Sequence, residues 1–131
     1  MKNNMQQVHH AGEQPDRRDV LTKALIRTAI YLGVTNARLG RVLGLSPATI
    51  SRLQGGAYSL SEKKKEWELA VLLVRLYRSL DAITGGSKEA AMAWLNSENK
   101  AFAGKRPIDL IESTEGLVRV VAYLDASRGI V

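Results

Sequence analysis

The stretch Asn36 to Gln54, NARLGRVLGLSPATISRLQ, holds the side chains whose chemistry is easiest to name. Arg52 ends in a planar fork of N–H donors that matches guanine O6 and N7, a pairing worth about 1–3 kcal/mol of base discrimination. Ala48 and the Thr49 methyl suit thymine methyl groups, and Ser51 falls on the same outward face. Ser46 and Asn36 stand where helices are expected to begin, and free N–H groups there favour a phosphate oxygen. Arg38, Arg41 and the run Lys63 to Lys65 add cations of the kind that displace counterions from a nucleic-acid backbone. For the lysine run alone, a solvated face is the simpler account.

These groups meet a duplex together only if two short helices cross steeply beside it. Gly40 supplies the nearly bare position that such a crossing needs, and Gly44 the positive φ of a tight turn. Leu39, Leu43, Leu45, Ile50 and Leu53 then face inward and lock the pair against the preceding helix. The spacing is that of a helix-turn-helix whose second helix enters the major groove. The plainer alternative is an αα-hairpin with a glycine turn.

Other chemistries find few tools. Among 131 residues there is no cysteine, so disulfides, thiolate metal sites and cysteine nucleophiles are excluded. The histidines are His9 and His10, in a polar stretch without helical period. Gly85-Gly86-Ser87 lacks the Gly-Lys-Ser continuation of a phosphate loop and reads as a linker. No metal, cofactor or catalytic residue is expected. No run of 18 apolar residues occurs, and Met1 to Gln14 lacks an apolar signal core, so the expectation is a cytoplasmic protein that does not engage a membrane. The net charge of +6 is lopsided: 11 Lys and Arg stand against 4 Asp and Glu up to Lys65, then 8 against 9. A basic half suggests a polyanion partner there and a different partner elsewhere, or else a surface that is merely basic.

Helix signals fill the rest of the chain, and no strand signal or internal repeat interrupts them; the fold class is all-α. Residues 1–15 read as a disordered leader. Asp16 caps a first helix ending at Gly33, Thr35 a second ending at Gly44, and Ser46 with Pro47 a third ending at Gly55-Gly56. Ser59 and Glu62 match a capping box that opens the longest helix, running to about Gly85. That helix carries Leu69, Leu72, Leu73, Leu76, Leu80 and Ile83 on one face and Trp67, Val71, Val74 and Tyr77 on a second. Two apolar stripes need two covers. The second is either another protomer or the chain's own neighbours. Ser87 caps a fifth helix ending at Trp94-Leu95, Pro107 opens a short one through Glu112, and Thr114 caps the last, with Leu117, Val120, Val121 and Leu124 in one stripe.

Leu39 to Gln54 resembles the Xre/Cro-like repressors, with Asn36 where a glutamine is usual. Beyond it, Ala91-Met-Ala-Trp94-Leu95, Asn99, Phe102, Gly104, Pro107, Asp109-Leu110-Ile111 and Gly116 resemble the toxin-binding domain of the Xre/MbcA/ParS antitoxins. Residue by residue, the bland account is packing: Trp94, Phe102 and Ile111 read first as core. Asn99 suits an Asx-turn and Asp109 the first turn of a helix.

The chain divides into a leader over 1–15, a DNA-binding domain over 16–58, a connecting and dimerising helix over 59–84 and, by the resemblance, a toxin-binding domain over 85–131. A reader of one half-site binds weakly, so a homodimer is expected, which suits the doubly apolar helix. The resemblance implies an antitoxin that occludes the active site of a RES-type, NAD-consuming toxin and represses its own operon. Toxin contacts would come from Asn99, Lys105, Arg106, Asp125, Arg128 and Val131; the DNA contacts are those named above, with Lys63 representing the lysine run. The alternative is a stand-alone helix-turn-helix repressor whose C-terminal half only dimerises or senses a ligand.

Overall fold

A computed structural model of the chain describes residues 16–129, which form seven α-helices and no strands. α1 (Arg17–Leu32) starts where the Asp16 carboxylate accepts the Arg18 N–H, and buries Thr22, Leu25, Thr28, Ala29 and Leu32. α2 (Asn36–Leu43) and α3 (Pro47–Gln54) begin on the hydroxyls of Thr35 and Ser46, as their sequence signals predict. α4 (Lys65–Ile83) runs through the middle of the molecule, packed against α1 on one side and α7 on another. α5 (Lys88–Asn96), capped by Ser87, leads through a 3-10 turn (Lys100–Phe102) to the four-residue α6 (Pro107–Leu110) and then to α7 (Thr114–Ser127). Leu25, Leu39, Ile50, Leu53, Leu73, Leu76, Leu80, Leu95, Ile111 and Leu117 are fully buried in one continuous core. The helix-turn-helix and the C-terminal helices are therefore built on shared packing.

Four local expectations need correction. The capping box of Ser59 and Glu62 does not form, because Leu60 is buried and its backbone is held by α1: its N–H donates to Thr22 Oγ1 at 3.1 Å and its carbonyl accepts Arg18 Nε at 3.1 Å. Ser59 donates to Asp19 instead, and α4 begins six residues later, at Lys65. The carboxylate that reaches back is Glu66, which accepts the Ser61 N–H and the Tyr58 hydroxyl. The last helix is capped by Ser113 rather than Thr114, and α6 stops at Leu110 rather than Glu112. Leu45, at the turn between α2 and α3, is half-buried instead of locked inside.

The second stripe of α4 is partly covered by the chain itself. Val74 is buried, and Tyr77 meets Tyr31 of α1 edge-on at 4.9 Å. Val71 remains 43% exposed, and on the other stripe Leu72 is half-buried and Ile83 exposed. Val71, Trp67, Val20 and Leu21 line an open groove of about 700 Å³ between α1 and α4, with Arg75, Arg78 and Arg128 along it.

Candidate functional site

The crossing of α2 and α3 has the geometry its glycines demand. A Cβ on Gly40 would stand 2.8 Å from the Leu45 carbonyl oxygen, so the turn passes directly over the helix there. Gly44 takes φ +71° and lets the chain reverse. With Leu39, Leu43, Ile50 and Leu53 buried beneath, α3 presents Ala48, Ser51 and Arg52 to solvent and Thr49 half-exposed. Arg52 points outward, its Nη2 resting on Thr49 Oγ1 at 3.2 Å, and Thr49 in turn touches Ser46 Oγ at 3.0 Å. A chain of short polar contacts thus orders the outward edge of α3 without consuming the guanidinium's other donors. Asn36 is exposed at the start of α2, and its Oδ1 accepts Gln54 Nε2 at 3.0 Å, tying that end to the end of α3. Gln54, half-buried, was absent from the sequence-derived site; an amide side chain at the last position of the motif was the available signal. Lys63 is exposed beside the Ser61 hydroxyl, which accepts its N–H.

Arg38 and Arg41 are placed differently from the free phosphate contacts expected. Arg38 Nη1 donates to the Ile108 carbonyl at 2.9 Å, to Asp109 at 3.1 Å and to Glu112 at 2.6 Å. Arg41 Nε donates to Glu112 at 2.7 Å, an interaction that raises the arginine's pKa. Both guanidiniums are drawn across to the segment around α6 by acidic groups 71 to 74 positions away, a relationship no local pattern encodes.

The C-terminal candidates split in the same way. Lys105 is exposed, on the far side of an isolated bridge from Asn99. The Asn99 side chain is spent locally, accepting the Ala101 N–H at 2.9 Å in the Asx-turn expected of it. Arg106 is paired bidentately with Asp109 at 2.9 and 3.0 Å. That pairing, assisted by Arg38 and opposed by burial, holds the Asp109 carboxyl below its ordinary range. Asp125 and Arg128 do not project from a free end. Asp125 is held by Arg75 and Ser79 of α4, and Arg128 Nη1 also reaches Ser79 Oγ at 3.0 Å. Asp125 is thus engaged in the docking of α7 on α4, while Arg128 stays exposed with one donor on Ser79. Val131 and the leader over 1–15 lie outside the described residues.

The C-terminal half also presents a surface that the sequence-derived site missed. Trp94, Phe102 and Tyr123 form an aromatic group with centroids 5.2 to 6.3 Å apart, and Arg119 lies over Phe102. Phe102 is buried and Trp94 half-buried, as expected of packing residues, but Tyr123 is 39% exposed and Val118 47% exposed on α7.

Two family profiles match the chain in succession. Residues 11–75 match the antitoxin Xre-like helix-turn-helix domain, and residues 79–129 match the antitoxin Xre/MbcA/ParS C-terminal toxin-binding domain. Among solved structures, the fold is similar to a chain of the M. tuberculosis MbcT-MbcA toxin-antitoxin complex. The superposition has a TM-score of 0.62 at 23% identity and covers 86% of this chain and 97% of that one. A stretch of 39 residues is 44% identical to part of the 6-hydroxy-3-succinoylpyridine 3-monooxygenase HspA of Pseudomonas putida (strain DSM 28022 / S16); it spans 30% of this chain but 12% of that protein.

Proposed function

The chain belongs to the Xre/MbcA/ParS antitoxin family, and from that premise we propose that it neutralises a RES-type, NAD-consuming toxin by covering its active site and represses its own operon by binding DNA. The observation that carries this reading is the outward-facing Arg52 on a properly crossed helix pair, joined through one core to a domain matched to toxin binding. In this reading the protein acts by binding, in the cytoplasm, without cofactor or metal. DNA is met by Arg52, Ala48, Thr49 and Ser51 at base edges and by Asn36, Ser46 and Lys63 at phosphates. The proposed division follows the sequence expectation, with a DNA-binding domain over 16–58, Lys63 just beyond it, and toxin bound within 85–131.

A single helix-turn-helix reads one half-site, and pairs of them span half-sites about 34 Å apart. We therefore assign a homodimer, with the groove between α1 and α4 as its contact. Val20 is 52% and Val71 43% exposed there, and a second copy would cover both.

Toxin contact falls to the exposed part of the C-terminal domain, Lys105, Arg119, Val118 and Tyr123, rather than to Asp125 and Arg128, which α4 already holds.

The test is expression of the neighbouring open reading frame with and without this chain. Growth arrest by the neighbour alone, rescue on co-expression and co-purification of the two polypeptides are expected. A harmless neighbour that never co-purifies, with operator binding intact, would leave the stand-alone repressor in place of the antitoxin.

A further inference from the structure

Glu112 stands between the two halves of the molecule and holds two arginines of the DNA-binding half: Oε2 accepts Arg38 Nη1 at 2.6 Å, while Arg41 spans both oxygens, Nε on Oε1 at 2.7 Å and Nη2 on Oε2 at 3.4 Å. The two arginines are not equivalent. Arg38 is 21% exposed, and its Nη1 also has the Ile108 carbonyl and Asp109, so it serves as a fixed strut. Arg41 is 56% exposed and, among the described residues, pairs with Glu112 alone. Its side chain also borders a depression of about 320 Å³ lined by Asn36, Gly44 and Pro47, at the N-terminal ends of α2 and α3. Helix N-termini and a guanidinium gathered round one depression are suited to a phosphate oxygen. The acceptor that Arg41 has in the free protein is a carboxylate from the other half of the chain.

We propose that Glu112 competes with DNA phosphate for Arg41, so that the C-terminal half restrains the affinity of the DNA-binding half. This rests on the DNA-binding reading above and adds to it a named regulator of affinity. An ion pair this exposed is weak and easily exchanged, within about 1 kcal/mol of break-even. A phosphodiester offers the guanidinium the same two-oxygen geometry. Exchange leaves Glu112 unpaired at its Oε1 but still held by Arg38, so the strut survives while the competitor is set aside. By linkage, anything that moves the segment after α6 alters DNA affinity, and DNA alters the freedom of that segment in return.

The experiment measures duplex binding by fluorescence anisotropy on the full chain, using a duplex from the region upstream of its own gene and a random duplex, across 50 to 200 mM salt. Glu112→Gln keeps the oxygen and removes the charge. It is expected to bind both duplexes about 5-fold more tightly at low salt, with a slope of log K against log salt steeper by about one phosphate contact. In the background of Arg41→Gln the same substitution is expected to give no gain. Asp109→Asn, which leaves the Arg41–Glu112 pair intact, controls for loosening of the clamp and is expected to give none either. Unchanged affinity and slope in Glu112→Gln overturn the proposal. So does a gain that persists without Arg41, and so does weaker binding, which would make Glu112 an aid to docking. If the unaltered protein binds neither duplex, the DNA-binding reading itself has failed; if it binds and Glu112→Gln changes nothing, only this inference has.

Discussion

Arg75 of α4 and Asp125 of α7 meet through Nε and Nη2 on one carboxylate oxygen at 2.8 Å, while the buried Ser79 hydroxyl donates to the other oxygen at 2.9 Å. The Asp125 side chain is only 13% exposed. Burial by itself would raise its pKa, but Arg75, Ser79 and Arg128 outweigh burial and hold the carboxyl below its ordinary value of 3.8. The folded state therefore releases this proton more readily than the unfolded chain does. Its contribution to stability is complete above the ordinary carboxylate range and is lost as pH falls through the depressed folded value. Asp125→Asn is expected to lower the melting midpoint at pH 7 by about 5 °C, the scale of one lost charge-assisted hydrogen bond in a small domain. It is also expected to flatten the decline in midpoint below about pH 4. Circular dichroism melts from pH 2.5 to 7 check both; an acid limb as steep as that of the unaltered protein counts against the assignment.

Gly40 makes a second prediction. The atom its Cβ would meet, the Leu45 carbonyl oxygen at 2.8 Å, is backbone, and Leu45 N–H is itself bonded to the Gly40 carbonyl at 2.9 Å. Nothing flexible can give way. Gly40→Ala is expected to cost about 1–3 kcal/mol, read by urea denaturation, and to reduce DNA binding by more than the unfolded fraction explains, because the angle between α2 and α3 must open.

The helix-turn-helix was legible because its determinants are local: two capping hydroxyls, two glycines and an apolar set within 20 residues, from Thr35 to Gln54. The start of α4 was misread for the opposite reason. Ser59 and Glu62 satisfy the capping pattern, but tertiary burial of Leu60 against α1 outbids it, and the partners involved, Arg18 and Thr22, lie about 40 positions away. Arg38, Arg41, Asp125 and Arg128 have partners that local spacing does not signal. Each is a surface residue by type, and each is held by a partner at least 46 positions distant. Partners distant in sequence account for these; the end of α6, the cap of α7 and the half-burial of Leu45 are local details that the spacing leaves unset.

Arg52 carries the specificity prediction. It is exposed at the last turn of α3, steadied by Thr49, and has donors to spare for a guanine edge. Arg52→Ala is expected to reduce the preference for the operator over a random duplex by about 1–3 kcal/mol, while leaving the melting midpoint within about 1 °C, as an exposed side chain should. The informative quantity is the ratio of the two affinities at one salt concentration. A ratio that does not move removes Arg52 from base reading, however much both affinities fall.

The last prediction decides between two parts of the C-terminal half as the toxin contact. The tail is one: removing Ser127 to Val131 deletes Arg128 and with it a hydrogen bond to Ser79. The other is the exposed surface of α7, with Tyr123 completing the aromatic group of Trp94 and Phe102, Arg119 over Phe102, and Val118 exposed on a separate side of the helix. Large aromatic and apolar side chains backed by a buried cluster dominate protein–protein contacts when they are desolvated, with truncation costing 2 kcal/mol or more at such positions. Val118→Asp and Tyr123→Ala are therefore expected to weaken the toxin complex at least about 30-fold and to abolish rescue of growth, with duplex binding unchanged. The tail deletion is expected to lower the melting midpoint through the lost Ser79 contact and to weaken the complex less than Val118→Asp does. Isothermal titration of each variant against the purified neighbouring polypeptide, paired with its melting curve, separates the two. If the tail deletion abolishes the complex while Val118→Asp leaves it intact, the contact lies at the chain's end and the face of α7 is ordinary surface.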